Sequence, residues 1–315
     1  MKVIFLGTSS GMPTLRRNVS AIAMVFSKNN KLWLWDCGEG TQQQIQNTNL
    51  KLSKLEKVFI THLHGDHVFG LPGLLASRGL RDGKNLNEIQ LYGPEKLDIY
   101  LKEIQNITNT YLPYEIKINV IPENVSEGIV WQDQEYIIQF ILLNHNMKTY
   151  AFSVEEKGAK LRFLIEKAKQ LNIQEGPIYK MLKEGETVKL SNGRTIHGKD
   201  FISEISKGRK IVICGDTAYC EKLVKFAENA DLLIHEATFS QKEMNIAKRN
   251  YHSTTVIAAS LAKKARVKQL IINHISPRYS SNNHRLKITE KDLLVEAQSI
   301  FPKTLLAEDF MEYKI

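Results

Sequence analysis

The sequence predicts an α/β protein in which two β-sheets face each other with helices outside, a four-layer αβ/βα sandwich with one basic arm protruding from it. Two observations carry that reading. Apolar runs of strand length alternate with helical patterns in both halves of the 315 residues. Four of those runs lead into a residue able to bind a metal, which is how separated segments converge on one sheet edge. In chain order, residues 3–6, 21–26 and 31–36 read as a strand meander, 41–47 as a helix and 57–60 as a buried strand. A strand over 136–143 follows, then a helix over 159–171, whose apolar positions recur at helical spacing with Lys160, Arg162, Lys167 and Lys169 interleaved. Gly176 and Pro177 end that helical pattern, and Ser191-Asn192-Gly193-Arg194 reads as a tight turn between two short strands. Strands 211–215, 231–235 and 269–273 then alternate with helices 221–227 and 253–265. Length alone fits one large domain or two small ones; the pattern reads as one domain over 1–315 with an insertion at about 154–203.

Composition excludes several classes. A hydrophobic content of 43% and a charged content of 24% describe an ordinary globular protein. No apolar stretch is long enough to cross a bilayer, and residues 1–7 run into a glycine loop instead of a signal-peptide core, so a cytoplasmic protein without a membrane partner is expected. Cys37, Cys214 and Cys220 have no paired spacing and read as buried free thiols. The net charge of +9 points to a polyanionic partner. From Lys148 to Lys210 there are 14 Lys and Arg against 8 Asp and Glu, so most of the surplus lies in one fifth of the chain. A basic insertion without metal ligands suits a limb that grips phosphate backbone away from the reaction.

The densest chemistry is Thr61-His62-Leu63-His64-Gly65-Asp66-His67, four metal-binding side chains at the end of a strand. Imidazole nitrogens with a carboxylate are what zinc accepts when no thiolate is offered, and Gly65 is expected to free the backbone so that the side chains aim at two points. His145, Asp216 and His274 follow later strands and complete a candidate set of seven ligands. Asp36 and Glu39, after another strand, are candidates to orient ligating histidines. The small-residue loop Gly7-Thr8-Ser9-Ser10-Gly11 lacks the Lys-Ser/Thr ending of a phosphate-binding loop and the spacing of a dinucleotide fingerprint. It reads as a tight turn beside the metal site, and no nucleotide cofactor is expected.

The cluster resembles the His-x-His-x-Asp-His signature of the metallo-β-lactamase superfamily, and His145, Asp216 and His274 fall in that superfamily's order. Pro13-Thr14-Leu15-Arg16-Arg17-Asn18, His235-Glu236-Ala237-Thr238, His252-Ser253-Thr254, and Gly176-Pro177 followed by Leu182-Lys183-Glu184-Gly185-Glu186 narrow the resemblance to the short form of tRNase Z, over essentially the whole chain. The resemblance implies the metallo-β-lactamase sandwich and an endonuclease that trims the 3′ trailer of precursor tRNA. It implies two zinc ions, one on His62, His64 and His145, the other on Asp66, His67 and His274, with Asp216 bridging, and Asp66 as proton acceptor. It also implies a homodimer in which one subunit's arm holds the tRNA that the other cuts. His252, tuned by Glu236, is the candidate for protonating the departing ribose oxygen or stabilising charge on phosphorus. Arg16, Arg17 and Arg278, with the arm's Lys160, Arg162, Lys167, Lys169, Gly176 and Pro177, are expected to contact phosphate.

Two other classes share parts of this pattern. Another hydrolase of the superfamily, such as a thioesterase, lactamase or general phosphodiesterase, would share the ligands but lack the basic Gly-Pro arm. A non-enzymatic RNA-binding protein with structural zinc would have a closed ligand set.

Overall fold

The computed structural model describes residues 1–26, 31–82, 86–157, 161–190, 193–204, 208–280 and 288–315. The first compact unit comprises Met1–Gln132, Ile137–Val154 and Lys210–Ile315. It begins with strands β1 (Lys2–Gly7), β2 (Ala21–Val25) and β3 (Leu32–Trp35), the predicted meander, then α1 (Thr41–Gln46) and β4 (Leu55–Phe59), the buried strand before His62. Next come α2 (Gly65–Val68), α3 (Leu71–Asp82), β5 (Ile89–Pro94), α4 (Leu97–Thr108), β6 (Ile116–Ile121), β7 (Glu127–Gln132), β8 (Tyr136–Leu142) and β9 (Tyr150–Glu156).

The second compact unit, Asp133–Tyr136 with Glu155–Arg209, has its own core of Ala168, Ile173, Tyr179, Leu182, Val188, Ile196 and Phe201. The single helix expected over 159–171 is not what forms among the described residues. Leu161–Phe163 is a strand, β10, and the helix, α5, covers only Ile165–Gln170. Gly176 and Pro177 also act differently: they open α6 (Pro177–Lys183), with Gly176 at the N-cap and Pro177 in the first turn, where its fixed φ and missing N–H cost nothing. β11 (Thr187–Lys189) and β12 (Thr195–His197) pair antiparallel on either side of the expected turn, in which Gly193 has φ +81°. Residues 191–192 of that turn lie outside the described residues. β13 (Ile202–Glu204) then pairs antiparallel with β10. That partner, some forty residues away in sequence, explains why 161–163 becomes strand despite its helical spacing.

The chain returns to the first unit with β14 (Lys210–Cys214), α7 (Glu221–Phe226), β15 (Leu232–Glu236), α8 (Met244–Arg249), α9 (Thr255–Lys264), β16 (Leu270–Asn273), α10 (Glu290–Ile300), β17 (Thr304–Leu306) and β18 (Glu312–Lys314). One seven-stranded sheet has the order β18-β1-β2-β3-β4-β5-β6 and the other β17-β16-β15-β14-β9-β8-β7. The sheets face each other through aromatic contacts: Phe59 against Phe152 at 5.4 Å and Trp33 against Trp131 at 5.3 Å between centroids, with the buried Lys57 ammonium 4.1 Å from the Trp131 ring. Outside the first sheet, Ile45, Leu71, Leu74, Leu97 and Leu101 of α1, α3 and α4 cover Ile4, Leu6 and Leu34. Outside the second, Leu223, Ala258 and Leu261 of α7 and α9 cover Val212, Leu233 and Ile272. Helix, sheet, sheet and helix make the four layers that the alternating pattern predicts. Burying both sheets on both faces is also why β14, β15 and β16 are continuous apolar runs. Cys37 and Cys220 are buried and Cys214 half-buried, all as free thiols. No described helix is long and apolar enough to cross a membrane.

Candidate metal centre

The seven candidate ligands come together where the strands of both sheets end. Their donor atoms form two groups, His62, His64, His145 and Asp216 in one, Asp66, His67 and His274 in the other; Asp216 and His274 form a third with His252. Neighbouring hydrogen bonds fix which ring nitrogen each histidine offers. Asp36 accepts from Thr61 N at 2.7 Å, from Thr61 Oγ1 at 2.9 Å and from His67 Nδ1 at 2.7 Å. With the Thr61 proton given to Asp36, its oxygen accepts from His62 Nδ1 at 3.0 Å. Thr238 Oγ1 likewise donates to Glu236 at 2.8 Å and accepts from His274 Nδ1 at 2.9 Å, while His145 Nδ1 donates to the Tyr251 carbonyl at 2.9 Å. Four rings therefore turn Nε2 inward, which is what outer partners of ligating histidines do. His64 turns Nδ1 inward, 3.0 Å from His62 Nε2 and 3.4 Å from His145 Nε2.

The donor set fits metal ions. Around the second group, Asp66 Oδ2 lies 3.5 Å from His67 Nε2 and 3.3 Å from His274 Nε2, and the two nitrogens are 3.3 Å apart. Such spacings match the roughly 3.4 Å edge of a tetrahedron drawn around zinc at ordinary zinc–nitrogen distances. Asp216 Oδ2 is 3.6 Å from His62 Nε2 and 3.5 Å from His67 Nε2, so one oxygen faces both groups. Burial, reinforced by neighbouring rings, holds His62, His64 and His145 below the ordinary imidazole range, in the neutral form that binds metal. At His67 burial opposes a charged ring, yet Asp216 and Asp36 overcome it and raise the pKa, because the pocket is a well of negative charge that draws in a cation.

Asp36, Tyr251 and His274 all have left-handed backbone, with φ of 55°, 57° and 60°. Non-glycine residues held there are strained, and here the strain aims a carboxylate, a carbonyl and a ligand at the centre. Gly65 plays a different part from the expected one. It begins α2 without a left-handed backbone, and a Cβ there would lie 2.2 Å from the ring of the exposed Phe69, which would have to turn aside. The Gly7–Gly11 loop does reach the site, with Gly11 N donating to Asp66 Oδ2 at 2.7 Å.

Glu236 is buried and accepts from Thr217 N, Thr238 N and Ser253 N, each at 3.0 Å, and from His252 Nδ1 at 2.9 Å. Burial disfavours charge on His252, but Glu236 outweighs it and lifts the ring to about 9. His252 Nδ1 also lies 4.0 Å from Asp216 Oδ2. That nitrogen is committed to Glu236, so His252 presents Nε2, as the four rings above do, beside Asp216 and His274. Of the orienting residues, the sequence points to Asp36; Glu39 is exposed and takes no such part. Thr61 and Thr238 stand within the histidine motifs but carry no signal of their own, and a backbone carbonyl such as that of Tyr251 leaves no mark in a sequence.

The expected phosphate contacts divide. Arg16 is exposed. Arg17 is a correction: it is only 4% exposed, its Nε and Nη2 bind Glu290 at 3.0 and 2.9 Å, and Nη1 donates to Thr8 Oγ1 and the Ala307 carbonyl. Every donor faces inward, so the guanidinium ties the N-terminal loop to α10. Arg278 is half-buried, donating to Glu243 at 2.6 Å and lying 4.9 Å from the Phe239 ring. In the second unit, Lys167 donates to the Asp200 carbonyl at 2.6 Å, Lys169 is 3.7 Å from Glu166, and Gly176 and Pro177 are exposed. Lys160 lies outside the described residues, and Arg162 is placed only by its backbone in β10.

Comparison with known proteins follows the same geometry. A family model described as Anti-Pycsar protein Apyc1 matches residues 1–157. Ribonuclease Z of Synechococcus sp. (strain CC9311) is 47% identical over 316 residues, covering 100% of this chain and 99% of that protein, and Ribonuclease Z of Nostoc sp. is 46% identical over 100% and 95%. The chain belongs to the ribonuclease Z family. Among solved structures, the short form of human tRNase Z superposes with a TM-score of 0.72 at 29% identity, covering 100% of this chain and 99% of that one. A Bacillus subtilis metallo-β-lactamase fold protein superposes with a TM-score of 0.66 at 19% identity, which speaks to the fold alone. Within this ribonuclease Z fold, Arg17→Ala is expected to lower stability by ~2–3 kcal/mol, because it strips the partner from the half-buried Glu290 carboxylate and the buried donor from Thr8 Oγ1 and the Ala307 carbonyl. RNA affinity should stay within about twofold, since no donor faces outward; thermal melting and a filter-binding assay check both, and a large affinity loss at unchanged melting would restore Arg17 as a phosphate contact.

Proposed function

We propose that the chain removes the 3′ trailer of precursor tRNA at a centre of two zinc ions, one held by His62, His64 and His145, the other by Asp66, His67 and His274, with Asp216 between them. The observation that carries this is the Asp216 oxygen facing both donor groups, in a chain 47% identical over its length to a Ribonuclease Z. Zinc pairs of this kind lower the pKa of water towards neutrality and neutralise charge on a phosphoryl group. This chain's residues supply the rest. Asp66, steadied by the Gly11 N–H, orients the attacking water and takes its proton. His252 has Nδ1 locked on Glu236, so Nε2 delivers a proton to the departing ribose O3′. The water oxygen replaces O3′ on phosphorus, which leaves a 3′-hydroxyl on the tRNA and a 5′-phosphate on the trailer.

The reading includes a homodimer. Leu80, Ile107 and Tyr111 are 89%, 79% and 86% exposed, and a groove of about 220 Å³ lies between α3 and α4, lined by Leu75, Ala76, Leu101 and Ile104. Exposed apolar surface of this kind suits a second copy of the chain. The second unit, with its surplus of lysine, is proposed as the limb that holds tRNA.

The test is incubation with end-labelled precursor tRNA and mass analysis of the fragments. A 3′-hydroxyl and a 5′-phosphate are expected. A 2′,3′-cyclic phosphate would mean attack by the neighbouring 2′-hydroxyl and would overturn the water-attack mechanism.

A further inference from the structure

Three buried polar atoms lack a hydrogen-bond partner among the described residues, Ser20 Oγ, Trp35 Nε1 and Asn273 Oδ1, and all three residues line one cavity. Those residues are 5%, 1% and 7% exposed. The cavity is about 10 Å³ and lies between the two sheets, with His67, Asp216 and His274 also in its wall. We infer that these three side chains hold one ordered water molecule, a built-in part of the protein directly behind the metal-ligand edge.

Size and chemistry both select water. The volume is close to that of one water-sized sphere, and buried waters typically make about three hydrogen bonds. The Trp35 N–H can only donate, so the occupant must accept there; Asn273 Oδ1 can only accept, so it must also donate. A hydroxyl such as that of Ser20 satisfies either role. Asp36 and Glu236 also stand in the wall, but their oxygens already accept from Thr61, His67, Thr217, Thr238, Ser253 and His252, so the open indole N–H opposes a cation there, and the Asn273 oxygen and the Asp216 carboxylate oppose an anion. An apolar filling would strand three polar atoms at ~1–3 kcal/mol each.

The placement gives the water a task beyond the proposed reaction and independent of any RNA. Trp35 ends β3 and is followed by Asp36, which fixes His67; Asn273 ends β16 and is followed by His274 in its strained backbone. Ser20 leads into β2, whose Ile22 lies opposite Trp35. One bridging molecule therefore ties the backbone that carries His274, in one sheet, to the backbone of the other sheet that carries Asp36, the residue that fixes His67. It is a positioning element for metal binding.

A high-resolution crystal structure of the full zinc-loaded chain should show a density peak within hydrogen-bond reach of all three atoms. Ser20→Val separates the alternatives by sign. If water is bound, valine expels it and strands Trp35 and Asn273, lowering Tm by roughly 4 °C or more and weakening zinc retention against a chelator about tenfold. If the space is dry, valine fills a void and Tm rises. Absence of the peak in the parent, or a Ser20→Val protein with raised Tm and unchanged zinc retention, overturns the inference. The parent structure decides the matter even if the variant folds poorly.

Discussion

Asp66→Ala is expected to reduce precursor tRNA cleavage on the order of a thousandfold or more, with about one zinc per chain lost and melting changed by only a few degrees. The size follows from what the carboxylate touches. Its Oδ2 lies 3.3 Å from His274 Nε2 and 3.5 Å from His67 Nε2, so alanine leaves that donor group with two nitrogens. It also removes the acceptor of the Gly11 N–H, the hydrogen bond that sets the loop beside the site. The fold should survive, because Asp66 belongs to neither hydrophobic core, although the pairing with His274 and His67 that overcomes burial and holds its carboxyl below the usual range is lost. Zinc analysis by mass spectrometry and single-turnover cleavage are the measurements. Cleavage within a few-fold of the parent would show that the Asp66, His67 and His274 group is not part of the catalytic centre.

What the sequence discloses of this site follows from locality. His62, His64, Asp66 and His67 fall in one segment, and the other three candidates each stand just beyond an apolar run, so they are legible as strand-end residues, while the family resemblance supplies their grouping. The hydrogen bonds that turn bare nitrogens inward are far less visible. Thr61 is adjacent to the ring it orients, but Thr238 is 36 residues from His274 and the Tyr251 carbonyl 106 residues from His145. Arg17 reads as a surface cation because its partner, Glu290, is 273 residues away, and nothing local distinguishes a buried guanidinium from an exposed one. The same distance explains the second unit. Residues 161–163 carry helical spacing, but pairing with Ile202–Glu204 satisfies their backbone as strand. Pro177 follows a helical pattern and so reads as its end, yet proline is equally suited to begin a helix, and only the three-dimensional structure separates the two.

Removing residues 158–207 should abolish cleavage of precursor tRNA while leaving hydrolysis of bis(p-nitrophenyl) phosphate within a few-fold of the parent. The cut is set by the backbone. Glu156 N donates to the Arg209 carbonyl at 2.9 Å, and the Arg209 Nη2 is 2.6 Å from Glu156 Oε1, so the two chain ends already lie side by side and an Asn-Gly turn can join them. The excised segment contains the whole of the small core around Tyr179, Leu182 and Phe201, and none of the seven candidate ligands. A small diester needs only the zinc chemistry. A tRNA bound by its shape needs cations along its phosphates, and each lysine–phosphate pair removed lowers affinity and flattens the salt dependence of binding by about one unit of slope. The deletion protein is checked first for zinc content and circular dichroism. If it is folded and zinc-loaded and still binds and processes precursor tRNA as the parent does, the unit is not the tRNA-holding limb, and its lysines are an ordinary solvated surface.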